Sequence, residues 1–116
     1  MSLQPAKVNF TIWKGATFSK RITLYTDTTS TTAKDITGYE AIMEIKDKRN
    51  GTVLYTLSTG NSRITIGGSS GTLDLKITDD DTSAFSWVGA VYDLLITDGN
   101  SDSDAILYGS VRIQSV

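Results

Sequence analysis

Alternation of apolar and polar residues organises most of this chain. Between Thr72 and Thr78, Leu73, Leu75 and Ile77 alternate with Asp74, Lys76 and Thr78. Successive side chains of an extended chain point to opposite faces, so the pattern predicts a strand with one dry and one wet side. Val8, Phe10 and Ile12 repeat it near the start, as do Ala41, Met43 and Ile45, and then Val53, Tyr55 and Leu57. Phe18, Ile22 and Leu24 share a face that also carries Lys20. That lysine must snorkel, lie at a sheet edge or mark a bulge. Val88, Ala90, Tyr92, Leu94 and Ile96 line one side of a further strand. Its other side holds Val91, Asp93 and Leu95, so partial cover is expected on both. Thr and Ile are abundant; with Val they are stiff at χ1 and fit a pleated surface better than a helix.

Turn residues punctuate these runs. Asn50-Gly51 favours positive φ and is the strongest hairpin signal. Arg63 to Ile66 reads as a short strand, and Gly67-Gly68-Ser69-Ser70-Gly71 as the turn after it. This glycine-rich loop lacks GxxxxGK[ST] and precedes a strand, so it is not a phosphate loop. Asp79-Asp80-Asp81-Thr82-Ser83-Ala84-Phe85 predicts one helical turn with an acidic start, Phe85 plugging the end of the core. Asp98 to Asp104 is a polar loop. In the last strand, Ala105 to about Ser115, Ile106 and Tyr108 have one parity and Val111 and Ile113 the other. A β-bulge at Gly109 would reconcile them. Residues 1–6 read as a flexible arm and 7–116 as one domain, with a mobile polar loop from Asp27 to Lys34. The expected fold is all-β: an immunoglobulin-like antiparallel sandwich of seven to nine strands with one short helical turn.

Composition narrows the chemistry. At 116 residues the chain supports a single core. It has no Cys and no His, which removes disulfides, thiol catalysis, Ser-His-Asp triads and the common imidazole metal sites. Eleven basic against thirteen acidic residues is not the basic footprint of a nucleic-acid binder. No apolar run approaches the roughly 18 residues of a membrane helix, and no apolar signal follows Met1, so synthesis in the cytoplasm is expected. Asp98, Asn100, Asp102 and Asp104 imitate a calcium loop, but its sixth position is Ser103 and its twelfth Gly109, not Gly and Glu. Three consecutive aspartates at 79–81 suit helix capping better than a pair flanking a scissile bond. No catalytic residue, cofactor or metal is therefore expected. Trp13 and Trp87 are the binding candidates: Trp13 has the opposite parity to Phe10 and Ile12, and Trp87 follows the helical turn. Exposed, they would stack on sugars or anchor an interface; otherwise both plug the ends of the sandwich.

The order of motifs suggests a family. Lys14-Gly15-Ala16-Thr17-Phe18 precedes Asp35-Ile36-Thr37-Gly38-Tyr39, in which Ile36 enters the core and Gly38 turns the chain. Met43-Glu44-Ile45-Lys46-Asp47 and Gly51-Thr52-Val53-Leu54-Tyr55-Thr56-Leu57 follow. The second half has Ile64-Thr65-Ile66-Gly67-Gly68, Gly71-Thr72-Leu73-Asp74-Leu75, Tyr92-Asp93-Leu94 and Leu107-Tyr108-Gly109-Ser110-Val111. From about Phe10 to Val116 the chain resembles the small β-sandwich proteins encoded among phage and prophage structural genes. It is similar, more loosely, to the N-terminal domain of phage upper baseplate proteins. The resemblance implies a non-enzymatic virion protein of the tail or baseplate, made in the bacterial host cytoplasm. It would dock other virion proteins by surface complementarity and strand-edge pairing, and form a homo-oligomer. It implies no catalytic residues, no cofactor, no nucleic acid and no membrane. The alternative from another class is a carbohydrate- or ligand-binding sandwich module, which requires two or three coplanar aromatics on one solvent face.

Overall fold

The structure, a computed structural model, describes residues 6–25 and 32–115. The described chain forms β1 (Ala6–Lys7), β2 (Phe10–Lys14), β3 (Phe18–Thr23), β4 (Glu40–Lys46), β5 (Val53–Ser58), β6 (Ile64–Ile66), β7 (Thr72–Ile77), β8 (Gly89–Thr97) and β9 (Ser103–Ser115). One α-helical turn, α1 (Asp79–Ser83), joins β7 to β8, and a 3-10 turn at Gly68–Ser70 joins β6 to β7. The larger sheet, A, has the order β1/β2-β9-β8-β4-β5, and the smaller, B, the order β3-β7-β6. Every pairing is antiparallel except those of β1 and β2, which run parallel to β9. This is an immunoglobulin-like β-sandwich: sheet B holds the B, E and D strands, and sheet A the G, F, C and C′ strands with the first strand laid on G.

The two-residue period places the core where the alternation puts it. Leu73, Leu75 and Ile77 of β7 are at most 1% exposed, as are Met43 and Ile45 of β4. Met43, Leu94 and Leu107 form one continuous row across β4, β8 and β9. Ile36 is fully buried in the connection before β4, and Gly38 turns the chain with φ 80°. Phe85 closes one end of the core after α1. The helical turn starts at Thr78, whose side chain accepts from the Asp81 amide, and carries its three aspartates in the first turn. Buried Thr82 then ties α1 to the β2–β3 turn: its Oγ1 accepts from the Gly15 amide at 3.1 Å and donates toward the Ala16 carbonyl at 2.9 Å. At the β4–β5 hairpin Asn50 takes the positive φ (59°), and the Asp47 carboxylate accepts from the Thr52 amide.

Several expectations need correction. The register of β9 slips between Leu94 and Leu95 of its partner, which makes Ile106 the extra residue. Ile106 and Leu107 are consequently both buried, and Gly109 is not the bulge. Gly109 is required for another reason: a Cβ there would collide with the Val8 carbonyl, in the short break between β1 and β2 that passes against it. A second slip, between Ile45 and Lys46, turns Val53 outward and sends Leu54 against the core. Val88 precedes β8 and is 71% exposed, so the buried face of that strand starts at Ala90. Lys20 sits opposite Leu75 on the core-facing register, yet it is exposed because β3 is an edge. Ala6, assigned to the arm, pairs with Leu107. Residues 1–5 of that arm and 27–31 of the loop from Asp27 to Lys34 lie outside the described residues. The described end of that loop is anchored: Ala33 bridges Tyr25, and the Lys34 amide donates to the Leu24 carbonyl.

Candidate functional site

The two outer faces of the sandwich differ in chemistry. On sheet B the outward positions are Ser19, Arg21 and Thr23 of β3, Thr72, Asp74 and Lys76 of β7, and Thr65 of β6, all polar. Arg21 holds Asp74 through two hydrogen bonds, at 2.7 and 3.1 Å. The hydrogen bond from Arg21 holds the Asp74 carboxyl below its ordinary range. On sheet A the outward positions mix charge with large apolar groups. Ile42 (38% exposed), Val53 (42%) and Tyr108 (39%) face solvent, and Val91 and Leu95 lie half-buried between them. Registers place Ser110, Val91, Lys46 and Val53 in one row, Tyr108, Asp93, Glu44 and Thr56 in the next, and Leu95, Ile42 and Ser58 in the one after. The sequence carries a signal for this face, since Ile42, Val91 and Leu95 occupy the wet parity of their strands. Tyr108 divides two open grooves, each lined also by Arg49 of the β4–β5 hairpin. The first adds Lys7 and Val91, the second Asp93.

The tryptophans part company. Trp13 points outward, 52% exposed, as its parity predicts. It stands on the rim of a groove of about 330 Å³ between β2 and β3, whose floor is the edge-to-face pair Phe10–Phe18. Trp87 is half-buried, and its ring leans on Phe85 at 4.9 Å. It therefore plugs the sandwich end, whereas Trp13 does not. Behind Phe85, Tyr55 makes an edge-to-face contact at 5.0 Å and donates its hydroxyl to Asp81 at 2.5 Å. The Arg63 guanidinium lies 4.6 Å from the Tyr55 ring centre and 3.4 Å from the same carboxylate. Burial, then the Asp81 hydrogen bond, pushes the Tyr55 phenol well above its ordinary value. The whole cluster satisfies itself and locks α1 onto β5.

The acidic loops are likewise turned inward on their own backbone. Asp98 accepts from the Asn100 and Asp102 amides at 2.9 and 3.0 Å, so it closes a turn. Asp35 does the same for Thr37, and the hydrogen bond from the Thr37 hydroxyl holds the Asp35 carboxyl pKa below its ordinary value. Among the described residues no group of three or more acidic or other ligating side chains is placed to hold a metal. Three further grooves, on the two faces and between β2 and β3, have at most one carboxylate apiece.

No family model matches the chain, and no curated protein matches it. Among solved structures it is similar to Drosophila OTK, extracellular domains 3-5, with 10% identity and a TM-score of 0.40 over 97% of this chain. It spans 35% of the length of that chain. The class of protein is defined by the sandwich: two packed sheets, a closed apolar core and one outer face that combines exposed aliphatic and aromatic groups with charge.

Proposed function

We propose that this chain is a non-enzymatic structural protein of a phage or prophage virion, which docks tail or baseplate components through the outer face of sheet A. The observation that carries the reading is the contrast between the two faces. Isolated exposed apolar residues are ordinary, but Ile42, Val53, Val91, Leu95 and Tyr108 cluster on one sheet while the other sheet is wholly polar. The order of motifs from Lys14 to Val111 supports the virion context by resemblance, with synthesis in the host cytoplasm. A carbohydrate-binding module, the rival reading, needs coplanar aromatics on one face, whereas Trp87 leans on Phe85, Trp13 stands at the groove between β2 and β3, and the exposed Tyr108 lies among aliphatic and charged groups of sheet A.

The test is co-expression with the products of the flanking genes. Tail or baseplate proteins are expected to co-purify with the wild-type chain. Paired Ile42→Asp and Tyr108→Asp substitutions are expected to abolish the association, and Thr65→Asp on sheet B to leave it intact. Equal behaviour of the two faces, or binding to immobilised glycans that depends on Trp13, would overturn the reading.

A further inference from the structure

We infer that Lys20 keeps the β3 edge of sheet B closed to added strands, so that the open side of the sandwich does not pair with itself. This holds whether or not sheet A docks a partner. An open sandwich has unpaired edges, and each is a template for another chain unless something blunts it. Three of the four edges here are short, broken or covered. β6 is three residues long, and β1 and β2, of two and five residues, are separated by the break at Val8 and Asn9. Along β5 the Thr56 carbonyl accepts from Asn61 Nδ2 at 3.0 Å and Arg63 Nη1 at 3.1 Å, and the Ser58 amide donates to Asn61 Oδ1 at 2.9 Å. β3 is six residues long and has no such cover among the described residues.

The pairing of β3 shows which of its backbone groups are open. The Leu24 amide donates to the Gly71 carbonyl at 2.8 Å, in step with the pairs Ile22–Leu73, Lys20–Leu75 and Phe18–Ile77. The amide and carbonyl of a strand residue point to the same side, and the side alternates along the strand. Those of Ser19, Arg21 and Thr23 therefore point away from β7, where no described residue bonds them. An antiparallel copy of β3 would bond through these same residues, with both core-facing sides on one side of the joined sheet. Even-numbered residues then face even-numbered ones, and Lys20 falls opposite Phe18, Lys20, Ile22 or Leu24 according to the register. Each outcome is unfavourable. Two ammonium groups directly opposite repel, and one set over Phe18, Ile22 or Leu24 loses water without gaining a carboxylate. Those three side chains pack half-buried against the core, whereas Lys20 is exposed and lines the groove between β2 and β3 with Phe10 and Phe18. Without its charge, β3 would present an unbroken apolar row beside open hydrogen-bonding groups, the pattern of a strand that pairs with itself.

Lys20→Val tests this by sedimentation velocity between about 5 and 500 μM, with circular dichroism to verify that each variant is folded. The variant is expected to dimerise about tenfold or more tightly than wild type self-associates, and Lys20→Arg, which keeps the charge, to match wild type. Adding Ser19→Pro removes an edge amide that β7 does not use, and should return the double variant to wild-type behaviour. Amide exchange followed by NMR locates the contact. In wild type the Ser19 and Arg21 amides should exchange rapidly while those of Lys20 and Ile22 are protected; in dimeric Lys20→Val all four positions should be protected. Lys20→Val that sediments like wild type overturns the inference, as does a wild type whose Ser19 and Arg21 amides are already protected. Association that survives Ser19→Pro, or that leaves the Ser19 and Arg21 amides in rapid exchange, overturns the assignment to the β3 edge.

Discussion

Removing one oxygen atom, by Tyr92→Phe, tests how the first strand is held to the sandwich. Tyr92 is 4% exposed in the middle of the core face of β8, and its ring stacks on Phe10 at 5.0 Å. Its hydroxyl donates to the Val8 carbonyl at 2.6 Å, at the break between β1 and β2. There the usual ladder is interrupted, and the Ser110 amide donates to the Asn9 side chain instead. Phenylalanine keeps the ring contacts and leaves the half-buried carbonyl without its donor, a loss of about 1–3 kcal/mol. For a chain of this length each kcal/mol moves the thermal midpoint by about 4 °C, so a drop of about 4–12 °C is expected at pH 7. The pH dependence adds a second signature. Burial raises the Tyr92 phenol above its ordinary value of 10.0. Above pH 10 the unfolded chain releases this proton while the folded chain keeps it, so the unfolded state binds fewer protons and stability falls as pH rises. The slope from this group is at most about 1.4 kcal/mol per pH unit. Tyr92→Phe has no such proton, so its deficit at pH 7 should shrink toward pH 11–12. Thermal unfolding at pH 7 measures the first, and urea unfolding at pH 7, 9 and 11 the second. A midpoint unchanged at pH 7, or a deficit that stays constant to pH 11, would refute the anchoring role.

Other substitutions probe other parts. Thr82→Val leaves the Gly15 amide and the Ala16 carbonyl without the hydroxyl that joins α1 to the β2–β3 turn, a loss of about 1–3 kcal/mol measurable by chemical denaturation. Leu94→Ala opens a cavity at the centre of the Met43–Leu94–Leu107 row and should cost about 2–5 kcal/mol, with no change in the slope against urea. Asp74→Asn removes an exposed pair with Arg21 and should alter stability little at pH 7. Because the folded-state value of Asp74 is lowered, whatever the pair contributes is lost as pH falls through the carboxyl range, so variant and wild type should converge in acid. Acrylamide should quench Trp13 fluorescence more than that of Trp87, and Trp13→Phe should remove the more accessible component.

Local pattern carried much of this fold. The faces of β4, β7 and most of β8 are legible because burial in a strand follows parity, and parity is visible in six or seven residues. The helical turn at Asp79–Ser83 is legible because Thr78 and the aspartates that follow suit the electropositive start of a helix. The outward direction of Trp13 follows from the same counting. Parity fails where a register slips: Val53 turned out and Leu54 in because β5 gained a residue opposite Lys46, and Ile106 turned in because β9 gained one opposite Leu94. Trp87 sits in a connection without any period, so only its contact with Phe85 reveals its role.

The amino-acid order by itself determined most of the strands, most of the residues that fill the core, and the lack of any thiol or imidazole for chemistry. Tertiary structure decided what happens between segments far apart in the chain. It laid β1 and β2 along β9, about a hundred residues away, and made Gly109 obligatory beneath the Val8 carbonyl. It gathered Ile42, Val53 and Tyr108 from three strands onto one face and left the other face polar. The physical reason is that strand direction depends on neighbouring φ and ψ angles, whereas pairing and the surfaces it assembles depend on long-range contacts that no short window contains.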